Sequence, residues 1–448
     1  VGFQGDVKKA LAELAPLQWD ASPGHLLLTR RIVVGLSFEK TEPFERSLDG
    51  RRGRRMRRRT PPAKHRLLAR LAVVEKGLYG VTYESVFGSS RNPVRAATLR
   101  LSRQDEAVAF YISPDTERFG PGSTLYFLSD GASVNPYGQE AVYELDTGAE
   151  GVHMESVPAP PAGEPTPYYL KRLEAEVNRI YQPGLVDAPD IWLWDSLMSP
   201  VRRSYPFEVT AQAMGGEPAL LEVWLQGVSD FGADPDHHVR LYVNGTYLTE
   251  AFFDGKVDRL LTSELGPGLL TEGENVLEVE NVGDTEARVS LVMLDRFRLS
   301  YPRQLVAEEG VLEGEWALSG RADVSGMEGP GFVLDVTEPE QPLWLLDVQA
   351  TQSVSSFSAE ASRRYLAVSQ SAVKLPEVRK PTAPSLTSGN HQADYLVIGP
   401  SEFIEAAGSL LSYRESQGLT TMAVSIEAIY NEFGHGETTP QSIRRFLE

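Results

Sequence analysis

Short runs in which hydrophobic and polar residues alternate fill most of this chain, and alternation is typical of strands with one buried face. The clearest run is ARVSLVMLDRFRLSY, which ends at Tyr301. Its apolar face consists of Val289, Leu291, Met293, Phe297, Leu299 and Tyr301. About eight such runs follow one another from Phe207 to Tyr301, and turn residues such as Asn244-Gly245 separate them. Residues 205–303 are therefore predicted to form a β-sandwich, with a jelly roll as one form of it.

Three further stretches show the same pattern in a weaker form. Residues 67–156 contain ATLRLSRQDEAVAFYIS and STLYFLSDG, whose β-branched and aromatic residues favour a half-buried sheet. Residues 1–50 and 304–375 are predicted to be β-rich segments on the same grounds. The chain is therefore predicted to be mainly β before its last linker.

Three segments interrupt the strands. Residues 51–66 are rich in arginine, glycine and proline and are predicted to be an exposed loop or linker. Residues 157–204 begin with VPAPPAGEPTP, which is unsuited to the interior of a sheet, and continue with a predicted amphipathic helix. The apolar face of that helix would contain Leu170, Leu173, Val177 and Ile180. Residues 376–391 are rich in proline and are predicted to be a second, extended linker.

Residues 392–448 show a different pattern, which predicts the first β-α-β unit of an α/β domain. ADYLVIG is a largely continuous apolar run, as in a parallel strand buried on both faces. Ser401 is predicted to cap the following helix, and Gly418 to end it. The buried stripe of this helix would contain Phe403, Ala407, Leu410 and Leu411. LTTMAVS forms a second strand, a short helix IEAIYNEF follows, and Thr439-Pro440 begins another helix.

Composition excludes several kinds of chemistry. The chain contains no cysteine, so disulfides, thiolate metal sites and a cysteine nucleophile are absent from these residues. The formal net charge is −19, which argues against general nucleic-acid binding and favours solubility in an extracellular or periplasmic volume. No apolar run approaches the length of a transmembrane helix. The chain begins with Val1, so any targeting signal is expected to be upstream or removed.

A dense run of arginines lies in the loop 51–66 and has three interpretations. It could be a solvated basic loop, a processing site for a trypsin-like or self-acting Arg-specific protease, or a nucleic-acid contact. No interleaved aromatic residues support the third interpretation. The residues of this candidate processing loop are Arg51, Arg52, Arg54, Arg55, Arg57, Arg58 and Arg59.

Other candidate residues favour structural roles. His237 and His238 are adjacent in a strand and would point to opposite faces, so they cannot bind one metal ion together. His435 lies between two glycines in FGHGE and is expected to have a loop or structural role. No GxSxG motif appears, and FGPGS at 119–123 lacks the lysine of a phosphate-binding loop. We therefore predict no metal site and no cofactor.

The residues from His391 onward resemble the gingipain-like cysteine peptidases, which have a caspase-like catalytic fold. The resemblance rests on ADYLVIG, SYRESQGL and IYNEFG occurring in this order. GLYGVTYESVF, HHVRLYVNG, LDRFRLSYPR and DVTEPEQP are looser matches to the β-rich region that precedes this domain in large bacterial relatives. In this family, a catalytic histidine follows the third core strand and a nucleophilic cysteine follows the fourth, and neither position exists here.

The resemblance implies a part of a secreted cysteine endopeptidase. This chain would supply the N-terminal accessory or pro-region and the start of the catalytic domain, and would be inactive alone. Its partners would be a downstream catalytic region or a separate catalytic chain and the protein substrates of the parent, at an extracellular or cell-surface location. The alternative is a non-catalytic extracellular module that binds glycan or protein, using aromatic residues such as Trp224, Phe252 and Phe253, although burial in the core is the more common role of each. Cleavage specificity, and whether the β region inhibits, folds or targets the enzyme, stay open.

Overall fold

The computed structural model describes residues 66–132, 137–182, 191–232, 234–381, 386–387 and 392–448, and the backbone of four short strands before them. These four strands form two antiparallel pairs. They are β1 (Gly2–Gln4), β2 (Val7–Lys9), β3 (Leu17–Asp20) and β4 (His25–Leu28). The arginine run from Arg51 to Arg59 lies outside the described residues.

Residues 66–156, here called the N-terminal β domain, fold into two larger sheets and one two-stranded sheet around one core. Leu99 and Leu101 in one sheet and Phe110 and Phe127 in the other are fully buried, as the alternating sequence predicts. β6, β10 and β12 form one sheet, and β5, β13, β8 and β9 lie side by side in the other. The elements are β5 (Arg66–Val73), β6 (Gly77–Thr82), α1 (Tyr83–Phe87), β7 (Val94–Arg95), β8 (Leu99–Arg103), β9 (Glu106–Ala107), β10 (Phe110–Ser113), β11 (Arg118–Phe119), β12 (Thr124–Ser129) and β13 (Ala141–Thr147).

Residues 169–303, here called the sandwich, contain two antiparallel sheets packed face to face. The strands of this part of the chain are β14 (Ser156–Pro158), β15 (Tyr169–Glu176), β16 (Ile180–Tyr181), β17 (Trp192–Leu193), β18 (Asp195–Met198), β19 (Val201–Val209), β20 (Ala219–Gly227), β21 (His237–Val243), β22 (Thr246–Phe253), β23 (Asp258–Leu265), β24 (Gly273–Asn281) and β25 (Leu291–Arg303). One sheet has the order β19-β24-β21-β22, and the other contains β15-β25-β20-β23. Leu221, Leu241, Leu277 and Phe297 are among the residues of the shared core. The jelly-roll form stays a prediction.

The amphipathic helix predicted after residue 167 is wrong, because this segment is strand β15. Leu173 pairs with Leu299 and Ala175 with Phe297 in an antiparallel ladder. YLKRLEAE also alternates with a period of two, which places Leu173 and Ala175 together against the sandwich core. A short segment whose sequence fits both a helical and a strand period adopts the secondary structure that its neighbours stabilise. Here β25 offers a long edge with which a strand can pair.

Residues 304–369, here called the third β region, extend the larger sheet of the sandwich. Its strands are β26 (Val311–Glu315), β27 (Gly320–Ser325), β28 (Gly331–Asp335), β29 (Leu343–Leu346), β30 (Gln349–Ala350), β31 (Val354–Ala359) and β32 (Arg364–Ser369). β26 contacts β15, so one ten-stranded sheet runs through both parts. β14 lies at the outer edge of this sheet, where Pro158 is tolerated. A three-stranded sheet, β27-β31-β30, covers the core around Trp316 and Phe357.

The segment predicted as a linker after residue 375 starts as an edge strand. β33 (Glu377–Arg379) pairs with β5 of the N-terminal β domain. Arg379 donates two hydrogen bonds of 2.8 Å to Glu140, which hold this strand in place. The predicted linker is therefore partly wrong, because its first residues belong to a sheet.

Residues 392–448, here called the α/β segment, form the predicted β-α-β unit. Its elements are β34 (Tyr395–Gly399), α2 (Ser401–Ile404), α3 (Gly408–Ser416), β35 (Thr421–Ser425), α4 (Ile426–Phe433) and α5 (Pro440–Leu447). β34 and β35 pair in parallel from Tyr395–Thr421 to Gly399–Ser425. Thr439 caps α5 through a hydrogen bond from the Ser442 N–H group, as predicted. The predicted fold class, mainly β followed by the first β-α-β of a caspase-like domain, is confirmed.

Two details of α2 and α3 differ from the prediction. The inward face contains Ile404, Ala407 and Leu411, whereas Phe403 is 61% exposed and Leu410 is 41% exposed. Ala407 and Leu411 of the predicted stripe thus face inward, whereas Ile404 takes the place predicted for Phe403. Ser401 does not cap the helix but is its first residue. In the described part of the chain, no helix is long and apolar enough to cross a membrane.

Candidate functional site

The carboxyl ends of the two parallel strands are joined by a hydrogen-bonded carboxylate. Ser401, just after β34, donates its hydroxyl to Glu427 at 2.7 Å and its N–H group to the same oxygen at 3.2 Å. Burial raises the pKa of Glu427, but hydrogen bonds from Ser401, from its own N–H group and from Ser425 together hold this pKa below its ordinary value. In parallel α/β sheets this edge is where chemistry is placed. Here the ionised carboxylate of Glu427 links the residue that follows β34 to the first turn of α4, which follows β35.

A second polar cluster joins the α/β segment to the N-terminal β domain. We call residues 434–438, between α4 and α5, the docking loop. Glu437 of this loop is 1% exposed. Its carboxylate accepts hydrogen bonds from Arg103 Nε at 2.7 Å, from the Val142 N–H group at 3.2 Å and from the Gln104 side chain. A buried carboxylate needs such donors, since burial without them would be costly.

The position of Glu437 follows from where strand β8 ends. β8 pairs with β13 only from Glu144 to Thr147, and Ser102 lies opposite Glu144. The N–H group of Val142 therefore has no neighbouring strand on this side, and the Glu437 carboxylate takes the place of the missing acceptor. The docking loop thus completes the edge of a sheet in another domain.

His435 makes the second contact of the docking loop. Its Nδ1 lies 2.9 Å from Glu144 Oε2, and its Nε2 lies 3.6 Å from Asp105 Oδ2. The hydrogen bond with Glu144 raises the pKa of His435, and burial, which lowers it, is the smaller effect. Burial raises the pKa of Glu144, but His435 and Arg70 together hold it below its ordinary value.

Arg70 links this pair to helix α4. Its guanidinium lies 2.9 Å from Glu144 Oε1 and donates to the carbonyl oxygen of Asn431 at 2.6 Å. The side chains of Arg70 and Glu144 are 12% and 14% exposed, so water screens this contact only weakly. Two chain segments that are far apart in sequence therefore meet in one hydrogen-bonded network.

The glycines around His435 are required by this geometry. His435 has a φ of 55° and Gly436 a φ of 89°, both in the left-handed region. A Cβ atom on Gly434 would lie 2.2 Å from Ser442 Oγ, and one on Gly436 would lie 3.0 Å from Arg70 and Val142 side-chain atoms. Close docking therefore accounts for the FGHGE motif. The structural role expected for His435 agrees with its contacts.

A cleft of about 950 Å³ borders the same contact. Leu78, Leu128, Leu366 and Val368 contribute apolar surface from the N-terminal β domain and the third β region. The Lys76–Glu313 ion pair, 3.1 Å long, joins these two parts across it. Arg103, which binds Glu437, also lines the cleft.

The two adjacent histidines of β21 are buried and fully engaged. His237 contacts Ser290 Oγ at 2.8 Å and the Gly255 carbonyl at 3.1 Å. His238 lies 2.6 Å from Asp284 and 3.1 Å from Glu250. Among the residues that the structure describes, no group of three His, Asp or Glu side chains could hold a metal ion. These contacts support the structural role expected for both.

The aromatic residues considered for binding differ from one another. Phe253 is 7% exposed and belongs to the sandwich core. Trp224 is half-buried under the guanidinium groups of Arg296 and Arg298, 4.7 Å and 4.9 Å from its ring. Phe252 is 51% exposed and stacks on His238 at a centroid distance of 3.8 Å, so the expected burial is wrong for this residue.

Sequence reasoning missed the contact between the domains. Arg70, Arg103 and Glu144 occupy ordinary strand positions, and Glu437 follows a glycine in a loop. The paired glycines of FGHGE were the only sign of a constrained backbone, and they do not identify the partner. Contacts between residues roughly 300 positions apart have no local signature.

Comparisons with known proteins agree with the resemblance at the end of the chain. The family model of peptidase family C25 matches residues 388–448. The crystal structure of dimeric latent PorU from Porphyromonas gingivalis has a TM-score of 0.55 and 17% identity. The match covers 85% of this chain and 39% of that chain, so this chain spans well under half of it. At this identity the likeness shows the fold alone.

Other solved structures match only locally. A carbohydrate-binding module, CBM36, crystallised with calcium and xylotriose, has 18% identity and a TM-score of 0.20 over 29% of this chain and 98% of its own. A β-porphyranase from Bacteroides plebeius has 10% identity and a TM-score of 0.19 over 55% of this chain and 37% of its own. Neither likeness supports a conclusion about function. No curated protein matches the chain.

The family match and the PorU match concern different parts of the molecule. The first is confined to the α/β segment and the residues just before it, whereas the second extends over the β-rich region as well. The resemblance of this chain to the gingipain-like cysteine peptidases, as a β-rich N-terminal region followed by the start of a family C25 catalytic domain, is thereby confirmed.

Proposed function

We propose that this chain is the accessory or pro-region, together with the first β-α-β unit of the catalytic domain, of a secreted gingipain-like cysteine endopeptidase. The observation that carries the proposal is the buried contact of Glu437 with Arg103, Gln104 and Val142. It attaches the segment that matches the peptidase family to a β domain outside that match. The β region therefore positions or restrains the catalytic domain.

The catalytic thiol must come from outside these residues, because the chain has no cysteine. The α/β segment offers a surface for further parts of a catalytic domain. Phe403, Leu410 and Tyr413 are between 41% and 61% exposed on one side of α2 and α3. β34 is half-buried along its whole length although its sequence is apolar. Exposed apolar surface of this kind marks a place where another segment packs.

The partner proposed for this surface is a downstream catalytic region or a separate catalytic chain that carries the histidine and the cysteine. Protein substrates of the parent enzyme would be cut there. The family resemblance also supports an extracellular or cell-surface location. A restraining role for the β region would agree with the latent state of the PorU crystal structure.

Expression of the chain with the coding sequence that follows residue 448 tests this proposal. We expect the longer protein to hydrolyse peptide substrates and to lose this activity on alkylation with iodoacetamide, whereas the 448-residue chain has no activity. The same chain also provides a control for labelling, since it contains no cysteine to alkylate. A downstream sequence without a histidine and a cysteine at the expected strand ends would overturn the proposal.

The arginine run is proposed as a processing loop of the parent enzyme. Seven arginines within residues 51–59 offer several cleavage sites to an Arg-specific protease. Intact mass spectrometry of the secreted protein should show an N-terminus within this run, and a variant with all seven replaced by glutamine should stay uncut. Uncut wild-type protein would leave the run as a solvated loop.

Binding of glycan by the sandwich is a second candidate function, favoured by one observation. Phe252 on the outer strand β22 is 51% exposed and stacked on His238, as an aromatic platform for a sugar ring would be. A glycan array probed with this chain and with Phe252→Ala would test it. Signals that are equal for the two proteins, or absent from both, would contradict this function.

A further inference from the structure

The contact between the docking loop and the N-terminal β domain contains a histidine among charged groups. The side chain of His435 is 23% exposed and lies between two carboxylates. The charged groups that face it come from four elements: Glu144 from β13, Arg70 from β5, Asp105 from the turn between β8 and β9, and Arg445 from α5. Only histidine among these side chains ordinarily changes its charge near neutral pH.

The charges on the two sides are complementary only when His435 is protonated. The docking loop then presents one cation, His435, and one anion, Glu437. The N-terminal β domain presents the carboxylates Glu144 and Asp105 to the first and Arg103 to the second. When His435 loses its proton, Asp105 no longer has a cation at 3.6 Å, and Glu144 is left with Arg70 alone. The Glu437 contact does not change in that step.

The backbone leaves this histidine little freedom to move away. His435 holds a φ of 55°, and the Gly436 N–H group donates to the Tyr430 carbonyl at 2.8 Å. A loop fixed in this way keeps the backbone of His435 at the contact in either protonation state. Loss of the charge therefore weakens the contact with Glu144 and Asp105 and makes docking less favourable.

We propose that residues 431–437 form a pH-dependent latch, which holds the α/β segment on the N-terminal β domain in mildly acidic solution and loosens in alkaline solution. The inference rests on the proposed function, since it names the regulation of the same contact. The latch itself is a property of this chain and is measured without peptidase activity.

The direction of the effect follows from the two pKa shifts. Docking raises the pKa of His435 above its ordinary 6.5, so its contribution is complete below pH 6.5 and is lost as the pH rises through the raised value. The pKa of Glu144 is held below its ordinary 4.5, so its contribution is complete above pH 4.5 and is lost as the pH falls through the lowered value. The latch is therefore tightest between pH 4.5 and 6.5.

Distance measurement by electron paramagnetic resonance between two spin labels tests the latch. Because the chain has no cysteine, Gln139→Cys and Gln441→Cys create the only two labelling sites. Both residues are exposed, and Gln139 borders the gap of about 270 Å³ that Gly436 also lines. We expect one short distance at pH 6 and a growing population of longer distances from pH 7 to pH 9. From pH 6 to pH 9 the ratio of undocked to docked molecules should rise by up to about tenfold for each pH unit by which docking raises the pKa of His435.

Two histidine variants of this labelled protein identify the group that titrates. His435→Asn is neutral throughout and is suited to a positive φ, so it should show a larger open population that no longer changes from pH 6 to pH 9. His153→Asn is the matched control, because His153 is exposed and lies against Phe110. It should keep the full pH dependence. A distance that does not change with pH in the unaltered background, or a pH dependence that persists in His435→Asn, would overturn the latch.

The outcome separates this inference from the proposed function. A latch without peptidase activity in the longer protein would leave the latch intact and overturn the proposed function. Activity in the longer protein with no pH-dependent distance would do the reverse. Should His435→Asn fail to fold, the pH series of the unaltered labelled protein at low and high salt decides the matter, since added salt should weaken the closed state if charge holds it.

Discussion

The sandwich and the α/β segment are attached to their neighbours in opposite ways. The sandwich and the third β region share one ten-stranded sheet, and Tyr169 of one stacks on Trp316 of the other with ring centroids 5.5 Å apart. The α/β segment contacts the N-terminal β domain mainly through polar and ionisable side chains, with His435 and Glu437 on one side and Arg70, Arg103 and Glu144 on the other. One junction is made of backbone and apolar core, and the other of charges.

This difference determines what each junction can do. Separating the shared sheet would expose apolar core, a loss that is not recovered in water, whereas the broken backbone hydrogen bonds would be largely replaced by bonds to water. Charged side chains, in contrast, regain much of their solvation when they separate. The first junction therefore makes a rigid platform, and the second can release its partner at a moderate cost. The proposed role, in which the β region holds a catalytic domain and later frees it, would require both.

The largest effect is expected for Trp316→Ala, which removes the centre of the apolar junction. Trp316 is fully buried, contacts the rings of Tyr169, Phe357 and Tyr365, and donates its indole N–H to Thr166 at 3.2 Å. We expect a loss of about 3–5 kcal/mol in the free energy of unfolding, because truncation leaves a cavity. Urea unfolding followed by far-UV circular dichroism measures it. Met198→Ala, at a side chain that is 59% exposed, should change it by less than about 0.5 kcal/mol.

Arg303→Met tests the polar part of the same junction. The Arg303 side chain is 3% exposed and donates to the Tyr169 hydroxyl at 2.8 Å, the Val306 carbonyl at 2.6 Å and the Glu308 carboxylate at 2.6 Å. Methionine fills the space but removes the donor of all three oxygens, and only Glu308 keeps another one, from the Thr210 hydroxyl at 2.6 Å. We therefore expect a loss of about 2–4 kcal/mol by the same urea experiment. Arg444→Met, at an exposed position of α5, is the control. Equal effects of the two variants would contradict the importance of the buried guanidinium.

Glu437→Gln breaks the charged junction and should leave the β platform folded. Glutamine would place an amide donor against the Gln104 side-chain donor and would remove the ion pair with Arg103. We expect the free energy of docking of the α/β segment to become less favourable by about 1–2 kcal/mol. The urea midpoint for unfolding of the β region should not change. Hydrogen exchange at the Val142 N–H group reports undocking directly and should accelerate about tenfold. Glu402→Gln, exposed in α2, should leave this exchange as it is.

Secondary structure was predicted best where the hydrophobic residues of a segment follow a single pattern. Thr98-Leu99-Arg100-Leu101 alternates, which is typical of a half-buried strand, and Leu99 and Leu101 are buried. ADYLVIG predicted the parallel strand β34, because a short continuous apolar run is typical of a strand covered on both faces of a parallel sheet. YLKRLEAE carried both a helical and a strand period, and only the edge of β25 decided between them. Local pattern cannot reveal which edges are available.

The charged junction could not be predicted for a related reason. Ion pairs such as Arg103–Glu437 join residues from different domains, and each partner alone is an ordinary surface charge in the sequence. FGHGE indicated a constrained loop because of its glycines, but the docking partner Val142 lies in a strand nearly 300 residues earlier. A single sequence reveals secondary-structure propensity and hydrophobic periodicity. Docking between domains depends on surfaces that exist only after folding.

The smallest effects are expected within the α/β segment, where they decide between the predicted and the observed helix stripe. Ile404 lies on the inward face of α2, and Phe403 is 61% exposed. Ile404→Ala should therefore cost about 1 kcal/mol, because it removes partly buried apolar surface, whereas Phe403→Ala should change stability by less than about 0.5 kcal/mol. Hydrogen exchange in β35, which packs on this helix, gives the local stability of each variant. If Phe403→Ala were the more damaging substitution, the stripe predicted from the sequence would be correct, and α2 would be rotated by one residue from the orientation described.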